Sequence, residues 1–236
     1  PGTCSKAGYI GSMIQELETR YGTMFVPDTD RGQYWWLLSI RASPEDEFIA
    51  LACKLLSESP NKGTVIDVGA NFGCWSIPLA QYAEEVIAFE PQACCADLLK
   101  RSIEANGISN VYVRNEAAGS NHGVVAISQL DINTSGNFGG VSIVRDEYPD
   151  APKALVSMQP LDALEIRFPV TFIKIDVEGG EIEVLRGATK LIEKYRPIMF
   201  MEIDHPAGDV PAIDEFLDRH NYAYDTYQGN YLCMPL

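Results

Sequence analysis

The chain has 236 residues, 46% of them hydrophobic, which suits one core of ordinary size and excludes disorder. Its formal net charge of −15 repels phosphate backbones and anionic lipid, so no nucleic-acid partner is expected. No apolar run approaches the roughly 18 residues of a membrane span, and the opening PGTCSKAGYI lacks the charged head and apolar stretch of a secretory signal, so a soluble, cytoplasmic protein is expected.

Residues 1–60 carry helical patterns over 10–21 and 44–56 and no strand alternation, and so read as a helical cap. Phe48, Ile49, Ala52, Leu55 and Leu56 share one face of the second helix, and Ser43 before Pro44 is the expected N-cap. Between the two, TMFVPDTDRGQYWWLL reads as a loop or short hairpin covering something. Its Tyr34, Trp35 and Trp36 either stack on a ligand or glue the cap to the rest of the fold. Cysteines at 4, 53, 74, 94, 95 and 233 form no CxxC pair and read as reduced thiols. The lack of Met before Pro1 suggests a tag remnant or a domain cut from a longer, multidomain polypeptide.

After the turn SPNKG at 59–63 the pattern changes to short apolar runs alternating with amphipathic helices. Strands are expected at 64–69, 85–90, 110–115, 170–176 and 197–204, with helices near 73–82, 94–106, 180–195 and 210–220. Asn106-Gly107 is the expected end of the second of these helices. GVVAISQL at 123–130 alternates like a half-exposed strand and is expected to pair with ALVSMQ at 154–159, and the chain closes in a hairpin around Gln228-Gly229-Asn230. Five parallel strands with helical crossovers imply an α/β fold with a doubly wound, mostly parallel sheet. The Gly- and Asn-rich stretch 131–152 is too long for an ordinary connection, and within it residues 133–140 suit a lid.

The segment Asp67-Val68-Gly69-Ala70-Asn71-Phe72-Gly73 joins the first of these strands to its helix. Gly69 and Gly73 remove side chains where a ligand must approach backbone. The spacing is not the G-x-G-x-x-G of dinucleotide sites, and Asp67 would repel a phosphate but attract a cation. Glu90, just over twenty residues later at the end of the next strand, is placed to accept both hydroxyls of a ribose. An adenosine ligand with a cationic tail and no phosphate, namely S-adenosylmethionine, satisfies both acids.

Period two places Phe172, Lys174 and Asp176 on one face of the strand FIKID, with Asp176 at its carboxyl end, where open α/β sheets bind ligands, and Glu178 and Glu181 following. Glu202 and Asp204 share a face of the next strand, and His205 follows them. Such a rim suits either a general base, Asp176 or His205, or a hard divalent ion, Mg or Mn, on Asp176, Glu202 and Asp204. A purely structural reading gives Glu181 and Glu183 to a helix N-terminus and Lys174 to neutralising an acid. His122 and His220 read as surface residues.

These segments together resemble the FkbM-type S-adenosylmethionine-dependent methyltransferases. The resemblance covers about residues 62–204 through VIDVGANFGCWSIPLA, VIAFEP, NEAAGSNHG, LDAL, FIKIDVEGGEIEVLRGA and PIMFMEID. It implies a class I methyltransferase (Rossmann-like) fold and methyl transfer to a hydroxyl of a carbohydrate or secondary-metabolite acceptor. The expected division is a cap on the acceptor side over 1–60 and a methyltransferase domain over 61–236 with an insertion at about 120–160. Carried over by position, it places Asp67, Gly69, Asn71 and Gly73 at the methionine end, Glu90 and Pro91 at the ribose, and Glu116 and Ala117 at the adenine. Asp176 belongs with the cofactor residues and, together with His205 and Glu202, with the catalytic ones. The alternatives are a methyltransferase acting on protein and a non-catalytic cofactor-binding partner domain.

Overall fold

In the computed structural model, which describes residues 14–145, 148–203 and 210–236, the first segment departs from the helical expectation. Strand β1 (Ile14–Thr19) pairs antiparallel with β2 (Gly22–Pro27), with Thr19 opposite Gly22. Burial, not residue type, alternates along IQELET, with Leu17 its buried position. What decides the state is packing: Phe25 lies under Arg101, 3.8 Å from the guanidinium to the ring centroid, and its amide donates to Ser102. The short helix α1 (Tyr34–Ser39) follows, then α2 (Asp46–Glu58). Ser43 does not cap α2 directly, because Ser43-Pro44-Glu45 forms a turn in which the Ser43 hydroxyl accepts the Glu45 amide at 3.2 Å. The N-terminal segment is therefore a hairpin plus two helices.

Short apolar runs then build the central sheet. Strand β3 (Thr64–Val68), helix α3 (Ser76–Leu79), strand β4 (Glu85–Phe89), helix α4 (Ala93–Ala105) and strand β5 (Val111–Arg114) wind outward in one direction. A small accessory sheet interrupts the winding: β6 (Ala117–Ala118), β7 (Gly123–Ser128) and β8 (Lys153–Gln159), with β7 and β8 paired as expected, in antiparallel sense. The chain returns to the centre as β9 (Val170–Ile175). The helix expected over 180–195 is two helices, α5 (Glu181–Gly187) and α6 (Thr189–Tyr195). At the junction Ala188 leaves helical geometry (φ −111°, ψ 5°), Gly187 packs where a Cβ would stand 2.0 Å from the Gly119 carbonyl oxygen, and Asp162 accepts the Lys190 and Leu191 amides at the start of α6. Strand β10 (Ile198–Glu202), helix α7 (Val210–Arg219) and the hairpin β11 (Tyr222–Tyr227) and β12 (Asn230–Pro235) complete the chain.

The sheet order is β11-β12-β10-β9-β3-β4-β5, with β10, β9, β3, β4 and β5 mutually parallel, so the doubly wound expectation holds. Alternate residues feed two cores. Val65, Ala88, Phe172 and Phe200 face the N-terminal segment and α2 to α4, whereas Ile66, Phe89, Ile175 and Met201 face α5 to α7. The winding reverses between β3 and β9, and open α/β sheets bind ligands outside the strand ends at such a point. Cys53, Cys74, Cys94, Cys95 and Cys233 are free thiols. His220 is not on the surface as expected but buried against Phe216, 4.3 Å between ring centroids, with Glu193 at 3.4 Å. Among the described residues no helix is long and apolar enough to cross a membrane.

Candidate active site

The β3 turn is built by three left-handed residues, Gly69 (φ 82°), Asn71 (φ 48°) and Gly73 (φ 97°). Gly69 has no substitute: a Cβ there would lie 1.8 Å from the Asp176 carbonyl oxygen, because β9 ends against the turn. The turn locks onto β4, with the Gly69 and Ala70 amides both donating to the Phe89 carbonyl at 2.9 Å. Glu90 follows immediately, accepting the Asn71 amide on one carboxylate oxygen and the Gln92 amide on the other, each at 2.8 Å. Burial drives its carboxyl up to about 7, against those two amides, which favour the anion.

A cleft opens at this end of the sheet, outside the strand ends where such folds bind ligands. Its walls include Gly69, Asn71, Glu90, Pro91, Glu116, Ala117 and Asp176, seven of the nine residues expected to hold a cofactor. Phe138 and Gly139, from the expected lid, also line it. Two buried acceptors on cleft-lining residues, Asn71 Oδ1 and Gln92 Oε1, have no hydrogen-bond partner within the protein. A buried acceptor without a donor is costly, so the cleft fits a ligand that brings donors, as the ribose and ammonium groups of S-adenosylmethionine do. Glu116 is engaged by Arg114 at 3.0 Å and Gln159 at 2.6 Å.

Asp67 and Gly73 stand behind the cleft wall. Gly73 packs under Leu99 and Ile77. Asp67 is wholly buried, accepts the Ser76 hydroxyl at 2.5 Å, and lies beside Lys174 on the neighbouring strand, Nζ to Oδ1 3.8 Å. It meets a cation as the residue type demanded, but the cation is the protein's own. Burial pushes the Asp67 carboxyl up and Lys174 pulls it down, with burial the stronger.

Lys174 is the centre of the acidic rim. Its ammonium is 2% exposed and donates to the Gly69 carbonyl at 2.8 Å and to Asp176 at 3.0 Å. Burial alone would lower its affinity for a proton, but Asp176, Asp67 and Glu45 together hold it well above the ordinary lysine value. Asp176, 21% exposed, is the member of this group that reaches the cleft. Carboxylate oxygens of Asp176, Glu202 and Glu45 lie within 4.8 Å of one another, so the expected pair on β9 and β10 is brought together with a third acid. Glu45 accepts the Trp75 indole N–H at 3.0 Å on one oxygen, and its other oxygen is buried without a partner. Burial raises its carboxyl to about 7, only partly opposed by Lys174. Asp204 and His205 lie outside the described residues.

Glu45 and Gln92 are the participants that pattern reading missed. Glu45 sits in SPEDEF and looks like one more acid at a helix start, while Gln92 carries no signal beyond following Glu90-Pro91.

The family model described as Methyltransferase FkbM domain matches residues 67–224. Methyltransferase sdnD of Sordaria araneosa is 24% identical over 233 residues, covering 81% of this chain and 86% of that protein. The crystal structure of Methyltransferase FkbM from Methylobacillus flagellatus KT superposes with a TM-score of 0.52 at 22% identity, over 72% of this chain and 43% of that one. The T. thermophilus 16S rRNA N2 G1207 methyltransferase, solved with AdoMet and guanosine, gives a TM-score of 0.50 at 13% identity, over 96% of this chain and 51% of that one. The chain thus spans about half the length of either solved structure, and at these identities the likeness is one of fold.

Proposed function

The chain belongs to the FkbM family of S-adenosylmethionine-dependent methyltransferases, and from that premise we propose that it methylates a hydroxyl of a carbohydrate or other small-molecule acceptor. The observation that carries this reading is the cleft lined by Glu90, Asn71 and Gln92 on one side, the last two with buried amide oxygens that lack a partner, and by Asp176 on the other. Glu90 would take the ribose hydroxyls, Asn71 and Gln92 would take donors of the sugar or amino-acid portion, and Ala117 beside Glu116 would border the adenine. When bound, the cofactor supplies an electrophilic methyl group.

A hydroxyl is a poor nucleophile until it loses its proton, and a base within hydrogen-bond reach assists the transfer. Asp176 is assigned that role, with Lys174 fixing its carboxylate through the 3.0 Å hydrogen bond. The convergence of Asp176, Glu202 and Glu45 favours a second reading, a hard divalent ion that acidifies the acceptor hydroxyl. His205 and Glu202 are the next candidates for the proton. The net charge of −15 supports an acceptor without a phosphate backbone.

Isothermal titration with S-adenosylmethionine, S-adenosylhomocysteine and NAD tests the cofactor assignment. The first two are expected to bind between low micromolar and millimolar, roughly −8 to −4 kcal/mol, and NAD to bind more weakly or not at all. Tighter binding of NAD would overturn the assignment. With an acceptor in hand, Asp176→Asn should keep cofactor affinity within a few-fold and slow transfer by on the order of 10². Chelation with EDTA, followed by Mg²⁺ or Mn²⁺, separates the readings, since a direct base is indifferent to it. Near-normal turnover of the variant would remove both readings at Asp176.

A further inference from the structure

Asp30 is buried, far in sequence from every cleft residue, and outside the matched family domain. One carboxylate oxygen accepts the first amides of α1, those of Gln33 at 2.5 Å and Tyr34 at 2.9 Å. The other accepts the Phe138 amide at 3.2 Å. Phe138 and Gly139 line the cofactor cleft, and the Phe138 carbonyl in turn accepts the side-chain amide of Gln92, whose own backbone amide is held by Glu90. One side chain therefore joins α1 to the cleft through an unbroken series of hydrogen bonds.

The flanking residues strengthen the same junction. Arg31 donates its backbone amide to the Gly136 carbonyl at 2.8 Å and its guanidinium to Ser135 at 2.7 Å, and Thr29 donates its hydroxyl to the Ile132 carbonyl at 2.7 Å. On the other side of α1, Gln33 accepts the Ser43 hydroxyl at 3.2 Å, and Ser43 opens the turn that carries Glu45 to the acidic rim. The helix so anchored turns Trp35 and Trp36 outward, 64% and 46% exposed. Those indoles do not glue the segment to the sheet.

We propose that Asp30 is a positioning residue that couples the cofactor cleft to α1, so that filling the cleft steadies the helix bearing Trp35 and Trp36. The proposal rests on the cofactor reading given above. Physically, a ligand that pins Phe138 and Gly139 also pins the carboxylate bonded to Phe138, and hence the α1 amides on its other oxygen. The effect is reciprocal, since ordering α1 must tighten the cleft by the same factor.

Amide hydrogen exchange with and without S-adenosylhomocysteine tests it on the whole chain, beside isothermal titration. In the wild type the ligand should slow exchange over 136–141 and also over 33–40. In Asp30→Asn the ligand should still bind, about tenfold more weakly for the loss of charge-assisted bonds, and protection over 33–40 should no longer respond to it. Arg31→Ala, which cuts only the exposed arm to Ser135, should weaken that response in smaller degree and serves if the Asn variant does not fold. Wild-type binding without any response over 33–40, or an unchanged response in the variants, overturns the coupling while leaving the cofactor reading intact. Failure of the wild type to bind the ligand at all removes both. A variant with lowered melting temperature but normal affinity and normal response assigns Asp30 to stability alone.

Discussion

The two walls of the cleft are built on opposite physical plans. The wall from β3 and β4 is a backbone device: Gly69, Asn71 and Gly73 in left-handed conformations, amides locked to Phe89 and Glu90, and two buried acceptors without a partner. The side bearing Asp176, at the end of β9, is backed by a charge device, in which the buried Lys174 ammonium compensates Asp176, Asp67 and Glu45. The first plan joins consecutive strands of the chain, β3 and β4. The second works only when strands and a helix from distant parts of the chain are already packed, because a buried charge is tolerable only beside its partner.

Removing the compensating charge should break the second wall most severely. Lys174→Met leaves the acids around it without their cation, and a loss of about 3–5 kcal/mol in urea unfolding is expected. A loss below 1 kcal/mol would mean that the acids are already largely neutral. Gly69→Ala attacks the joint between the walls, where the new methyl meets the Asp176 carbonyl at a positive φ. A destabilisation of about 2–3 kcal/mol is expected there, together with impaired binding of S-adenosylhomocysteine.

Glu90→Gln addresses the first wall alone. It keeps one carbonyl oxygen for the Asn71 or Gln92 amide and should weaken S-adenosylhomocysteine by about 1–3 kcal/mol. Glu90→Ala is the less informative change, because it would orphan both amides and destabilise the fold as well.

Proton linkage gives the most graded test. Glu90 and Glu45 rise from an ordinary value of 4.5 to about 7 in the folded protein. Between those values the folded state keeps protons that the unfolded chain has released, so stability is fully present below the unfolded value and is lost as pH rises toward about 7. The slope is at most about 1.4 kcal/mol per pH unit for each group. Melting temperature should fall across this window, and Glu90→Gln should flatten the curve by its own share. An unchanged slope in that variant would place the buried proton elsewhere.

Read alone, the sequence determined the parallel strands, the glycine-shaped turn, Glu90, and the shared rim of Asp176 and Glu202. These rest on period-two alternation and on backbone conformations that a few adjacent residues dictate. Tertiary structure decided the rest. Residues 14–27 became a hairpin because β2 had α4 to lie on, and the helix expected over 180–195 is two helices, with Gly187 required because the Gly119 carbonyl passes 2.0 Å from where a Cβ would be. Asp67 has the residue type that a cationic ligand needs, yet packing supplied Lys174 in its place. Glu45 and Asp30 escaped the sequence because the groups that draw them to the site, Asp176 and Glu202 for one and Phe138 for the other, are far away in the chain, and only packing brings such groups within hydrogen-bond or Coulomb range.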